Sequence, residues 1–149
     1  MKRRFFRLLA MLMTVGCLCG CSHDGEKDPL DGLKVNLIAD GATAYVIVRR
    51  KEGTDYETDV AIDLKSKLEG STGVGVKLIN DTKEENACEI RVGSARGAND
   101  GLAQNEWYVG QKDGKLVITG GSDKALKKAY DYFLETFLQC RWETKELTK

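Results

Sequence analysis

Seven carboxylates stand between the apolar runs of this chain: Asp55, Asp59, Asp81, Glu84, Glu85, Glu106 and Asp113. Two such groups are the least that glycoside hydrolysis needs, one protonating the leaving oxygen and the other serving as base or nucleophile. Each of the seven falls in a turn, near a helix start or on a hydrophilic face, where capping and solvation account for it. A working pair also needs a cleft that lifts one pKa, and a single small α+β layer offers little room for one. His23 is the only histidine and sits in a polar stretch ahead of the domain. A Ser-His-Asp triad, a Cys-His pair and an HExxH zinc site are therefore excluded from the folded part. With two cysteines there, Cys88 and Cys140, a cysteine-rich zinc site is excluded too. No metal and no cofactor are expected.

Three further groups of residues have functional readings. Gly120-Gly121-Ser122 ahead of a helix offers free backbone amides to a phosphate, but it lacks the P-loop lysine and the spaced glycines of a dinucleotide fingerprint. A tight strand-to-helix turn is the simpler reading. Gly93-Ser94-Ala95-Arg96 at a strand end presents Arg96 to a ligand carboxylate, or is a plain surface loop. Trp107, Tyr108 and Trp142 are candidates to stack on sugar rings, against ordinary core packing. Trp142 beside Arg141 is also a candidate interface pair.

The elements that must position these groups follow from periodicity. Asp113-Gly114 between two alternating apolar runs is a strong hairpin signal, since both residues tolerate positive φ. The second run ends at Gly120-Gly121, and Ser122 is a good N-cap. A helix to about Leu138 follows, its stripe made of Leu126, Ala129, Tyr130, Phe133, Leu134, Phe137 and Leu138. An earlier helix starts at Asp55, where Thr54 and Glu57 form the T-x-x-E capping box. Tyr56, Val60, Ala61, Leu64 and Leu68 mark its buried side. Glu57, Asp63, Lys65 and Lys67 are expected on its solvated side, and Gly70 is the expected stop. Strands are expected over Leu33–Ala39 (closed by an Asp40-Gly41 turn), Ala44–Val48, Val74–Ile79 and Cys88–Val92. In the last of these, Glu89 and Arg91 are expected on a wet face. Residues 93–104 form the longest irregular stretch. The order β-β-α-β-β-β-β-α indicates α+β, with a mixed or largely antiparallel sheet and both helices on one face.

The two ends lie outside this domain. Lys2, Arg3, Arg4 and Arg7 precede the apolar run Leu8–Leu18, which is too short for a membrane span and reads as a signal peptide over residues 1–20. Leu18-Cys19-Gly20-Cys21 resembles the bacterial lipobox, with Cys21 as the lipidated residue and Cys17, after Val15-Gly16, as the second candidate. Residues 21–32, holding the only proline, read as a tether; 33–143 as the domain; 144–149 as a charged tail. Export with lipid anchoring at the bacterial membrane or cell surface is the expected address. An ordinary secretory signal or an uncleaved anchor would export the chain as well. Removing the four basic residues of the signal from 23 leaves 19 against 23 acidic ones, a net charge of −4. Such a balance, without a basic stripe, points away from nucleic acid. In an exported protein Cys88 and Cys140 could pair or remain two small thiols.

The run TGVGVKLI, then EIRVGSARG, then EWYVGQKDGKLVITGGSDKALKKAYDYFLETFLQCRW resembles the small N-terminal α+β domain that precedes the catalytic barrel of bacterial α-glucuronidases and β-hexosaminidases. Ile90 to Gly93 match its strand-then-glycine. Tyr108, Leu116, Ile118, Gly120, Ala129, Tyr130, Phe133, Leu134, Glu135, Arg141 and Trp142 match its long C-terminal pattern. Gln139-Cys140 stands where Gly-Cys is common, and Ala125 or Leu126 where a glycine is common. The resemblance, over about residues 36–142, implies a zincin-like shape without the metal site, and a role in glycan metabolism. It brings no catalytic residue with it, because the family's catalytic acids lie in the barrel, which is not expected in this chain. The leading expectation is a non-catalytic accessory domain on a lipoprotein, with a glycan or a catalytic barrel as partner. The alternatives are the N-terminal piece of a glycoside hydrolase and a structural surface protein without ligand.

Overall fold

The structure, a computed structural model, describes residues 36–138. The signal, the tether with Cys21 and His23, Cys140, Arg141, Trp142 and the tail lie outside the described residues. In chain order the elements are β1 (Val46–Arg49), α1 (Asp55–Thr72), β2 (Lys77–Asn80), β3 (Glu89–Val92), a 3-10 turn at Ala95–Gly97, β4 (Trp107–Lys112), β5 (Lys115–Gly120) and α2 (Asp123–Phe137). The capping box forms as the sequence requires: the Thr54 hydroxyl accepts from the Glu57 amide at 3.1 Å and a Glu57 oxygen accepts from the Thr54 amide at 3.2 Å. The Ser122 hydroxyl caps α2 by accepting from the Ala125 amide at 3.2 Å. Asp113 and Gly114 turn β4 into β5 with φ of 53° and 74°, the primed geometry that matches strand twist.

The protein is α+β: a five-stranded mixed sheet, order β2-β1-β3-β5-β4, with two helices. The largely antiparallel alternative is overturned, because β2, β1, β3 and β5 run parallel and β4 alone pairs antiparallel. The helix between β1 and β2 is a crossover connection, which returns the chain in the same direction; the tight hairpin is the one place where it reverses beside its neighbour. The strand expected over Leu33–Ala39 does not form in its described part. Residues 39–42 make only a closed turn, with Ala39 and Ala42 exchanging two backbone bonds of 3.0 Å.

Both helices pack on one face of the sheet. Val60, Ala61, Leu64 and Leu68 of α1 meet Leu126, Ala129, Phe133 and Leu134 of α2 over Ile47, Ile90, Val92, Val109, Leu116 and Ile118. A fully buried side chain of this size contributes about 1.5–3 kcal/mol. Helix α1 runs past Gly70 to Thr72. Its stop is Gly73, left-handed at φ 70°, whose amide reaches the Glu69 carbonyl at 2.8 Å. Gly70 therefore costs helix propensity without ending the helix.

On the opposite face, Val46 and Val48 pack with Ala95 and Ile79. Here the expectation of a wet side to β3 fails: Glu89 is fully buried and Arg91 is 8% exposed. A central strand of a parallel sheet is covered on both faces, so its charges must find partners inside. Glu89 accepts from the Asn86 amide at 2.9 Å, from Arg91 Nε at 2.9 Å, and from Arg96 Nη2 and Nε at 3.1 and 3.2 Å. Arg91 and Lys115 share Glu85 at 2.8 and 3.4 Å. Burial raises the pKa of the Glu89 carboxyl, but the Asn86 amide, Arg91 and Arg96 together outweigh it and hold it below the ordinary glutamate value.

Candidate functional site

The parallel strands carry their neighbours' loops to one end of the sheet. After β1 and β5 the chain enters helices on one face. After β3 it turns to the other face, where Ala95 joins Val46 and Val48. A crevice opens where connections diverge in this way at the carboxyl ends of parallel strands, the usual place for a ligand in such sheets. Its volume is about 340 Å³. The β1–α1 junction contributes Arg50, Glu52, Gly53, Thr54 and Glu57. The stretch after β3 contributes Ser94 and Asn99, and the β5–α2 junction Gly120 to Asp123 with Leu126.

Glu57 is the centre of this end. Expected on a wet helix face, it is 6% exposed. One carboxylate oxygen accepts from the Ser94 amide at 2.6 Å, and the other from the Ser94 hydroxyl at 3.0 Å and the Thr54 amide at 3.2 Å. A Cβ on Gly93 would lie 2.5–2.6 Å from the Glu57 side chain, and one on Gly53 would collide with it. Glycine at both positions makes the room. The two helix starts are joined directly, since Thr54 Oγ1 donates to Asp123 Oδ1 at 2.8 Å. Ser122 donates to the Gln104 carbonyl at 2.6 Å, which ties the long loop to α2.

Arg50, Glu52 and Asn99 make no side-chain hydrogen bond or ion pair among the described residues. Asn99 is half-buried, whereas Arg50 and Glu52 are exposed. The crevice thus holds one cation against three carboxylates, of which Glu57 is fully engaged.

The other sequence candidates are dispersed. Gly120-Gly121 is a close-packing turn: a Cβ on Gly120 would run into the backbone of Ala125 and Leu126, and one on Gly121 into the Ala103 carbonyl. The Gly121 amide is taken by the Glu106 carbonyl at 2.9 Å, and the carboxylates beside it oppose an anion, so the phosphate reading fails. Arg96 does not face a ligand. It binds Glu89 and the carbonyls of Asp81, Lys83 and Glu84 at 2.9–3.2 Å, fastening the loop after β2. Trp107 and Tyr108 are neighbours on β4 and so point to opposite faces. Trp107 is half-buried against Tyr132, ring centroids 5.3 Å apart. Tyr108 is 36% exposed and donates to the Gln111 carbonyl at 2.8 Å. They cannot form one stacking platform. Among the seven carboxylates, Asp81 accepts from the Lys51 amide at 3.0 Å, Glu106 from the Ala103 amide at 2.8 Å, and Glu85 is paired with Arg91 and Lys115. Cys88 is a half-buried free thiol. Among the described residues no group of three or more His, Cys, Asp or Glu is placed to hold a metal ion, and no helix is long and apolar enough to cross a membrane.

The sequence reading missed Glu57, Arg50, Glu52, Asn99 and Asp123 as a set. The signal that could have found them is positional, since each lies just after a strand that proves to be parallel. No family model matches the chain, and no curated protein matches it in sequence.

Proposed function

We propose that this is an exported lipoprotein, anchored through Cys21, whose domain is a non-catalytic accessory module of the glycoside-hydrolase type serving glycan metabolism. The observation that carries the non-catalytic part is the state of Glu57. It is the buried carboxylate of the crevice, and both its oxygens are spent on three donors. A general acid or base must be free to exchange a proton with substrate, and this one is built into the backbone. The finer fold reading, a β-hexosaminidase domain 2-like sheet of zincin shape, draws support from where the pattern residues sit: Leu116, Ile118, Ala129, Tyr130, Phe133 and Leu134 are all in the helix–sheet core. The anchor reading rests on Leu18-Cys19-Gly20-Cys21 after a basic and then apolar start.

The test has two arms. Cells are fed an alkyne fatty acid, and label on the wild-type chain is compared with Cys21→Ser and Cys17→Ser. Loss of label in Cys21→Ser alone is expected; label that persists there sinks the anchor assignment. The purified chain is then run on a glycan array and assayed with aryl glycosides and uronides. Binding without turnover is expected. Turnover would restore the reading as a piece of a glycoside hydrolase, and silence on the array would remove the glycan half.

A further inference from the structure

We propose that the crevice at the carboxyl ends of β1, β3 and β5 is the sugar-binding site of this domain, taking one uncharged or amine-bearing sugar ring. The inference rests on the accessory-module reading and names the site and ligand class that it leaves open. Size is the first argument. A volume of about 340 Å³ is at the small end for ligand pockets, which suits a single ring better than an extended chain. Chemistry is the second. The groups left over after the internal hydrogen bonds are counted are the Arg50 guanidinium, the Glu52 carboxylate and the Asn99 amide, with Asp123 using one carboxylate oxygen on Thr54. Donors and acceptors are thus interspersed around the opening. A vicinal diol needs this mixture, because each hydroxyl both gives and takes a hydrogen bond. Charge is the third. Glu52, Glu57 and Asp123 outnumber Arg50, so a uronate or phosphate is disfavoured while a neutral or cationic ring is not. Rigidity is the fourth. Glu57 ties β3 to α1, Thr54 ties α1 to α2, and Ser122 ties α2 to the long loop. The walls therefore stand before a ligand arrives, which lowers the ordering cost of binding.

The experiment is a titration of the full chain, ¹⁵N-labelled in detergent micelles, with glucose, N-acetylglucosamine, glucosamine and glucuronate. Amide shifts at Ser94, Asn99, Gly121 and Ser122 are expected with the first three sugars and weaker ones with glucuronate. Asn99→Ala and Glu52→Gln remove groups that hold nothing in the fold, so each should leave the spectrum of the free protein intact. Each should weaken binding about tenfold, the loss of one hydrogen bond to a polar ligand. Shifts confined to Tyr108 and its neighbours would overturn the crevice and leave the accessory reading standing. Glycan-array binding without crevice shifts would do the same. Absence of both signals would overturn the two together. Tighter binding of glucuronate than of glucose would refute the charge argument and with it the ligand class.

Discussion

Glu57 is the residue whose removal separates the sequence view from the structure most sharply. On a solvated helix face its replacement would be nearly neutral, within about 0.5 kcal/mol. In the structure it closes a capping box and accepts from a buried backbone amide. Glu57→Ala keeps the Thr54 cap on the amide of residue 57 but loses the bond to the Thr54 amide and the negative charge at the helix start, worth about 0.5–1 kcal/mol, and leaves the Ser94 amide without its acceptor, worth about 1–3 kcal/mol. The Ser94 hydroxyl can turn to another partner, and the Thr54 amide lies nearer water, so neither adds a full increment. The expected loss is about 2–4 kcal/mol, or roughly 10–25 °C in Tm for a domain of this size. Urea unfolding followed by far-UV circular dichroism measures it. Gly93→Ala supplies a second handle. A new Cβ there meets the Glu57 carboxylate and is held at φ 62°. In wild type it should cost the collision plus about 1–2 kcal/mol of left-handed strain, and in the Glu57→Ala background the strain alone. The two costs are therefore less than additive. A near-neutral Glu57→Ala, or additive losses in the double variant, would refute the account of how this end of the sheet is held.

Glu89 has a pKa held below its ordinary value in the folded state, so the protons it binds on unfolding make stability fall as pH drops. That stability is fully present above the unfolded glutamate value of about 4.3 and is lost as pH falls through the lower folded value. Urea midpoints at pH 7 and at successive acid steps should show the fall, and Glu89→Gln should flatten it while lowering stability at pH 7. Gly70→Ala, with nothing within 4 Å of the new Cβ, should stabilise by about 0.5–1 kcal/mol. Gly73→Ala, at φ 70°, should destabilise by about 1–2 kcal/mol; equal effects in thermal melts would contradict the observed helix end. Trp107→Ala should cost about 2 kcal/mol for a half-buried ring, whereas Tyr108→Ala should stay within about 1 kcal/mol, since it removes one exposed hydrogen bond. The same melts distinguish them.

Local rules were legible wherever a single side chain meets its own backbone. The Thr54–Glu57 box, the Ser122 cap and the Asp113-Gly114 turn stand where the sequence puts them, because each is decided within four residues. The stop of α1 was misplaced by three positions: both Gly70 and Gly73 are glycines at a helix end, and only packing decides which one turns left-handed. Strand direction was legible at the Asp113-Gly114 hairpin, which makes β4 and β5 antiparallel within the expected mixed sheet, but not for β1, β2 and β3. Whether β3 lies beside β1 or beside β4 depends on how α1 crosses the sheet, which no short window of sequence records. That unknown stands behind the misplacement of Glu89 and Arg91. An antiparallel sheet has a wet face, so Glu89 and Arg91 read as solvated; a parallel one does not, so they became a buried ion cluster.

The same geometry explains why the site was hidden. Glu57 was assigned to solvent because its helix has a polar side, yet position N3 of a helix is also where a side chain reaches back toward the strand end that precedes it. In α1 that reach extends past Thr54 to Ser94, just beyond the end of β3 and thirty-seven residues away. An anion is what a helix start attracts, and here the chain supplies its own. With that place filled from within, the crevice has no use for a phosphate or a uronate. Its free groups are a mixed set of donors and acceptors, brought from three strand ends that are separate in sequence. The carboxylate that looks least functional is thus the one that decides what the opening can hold, by occupying the position that an acidic ligand would need.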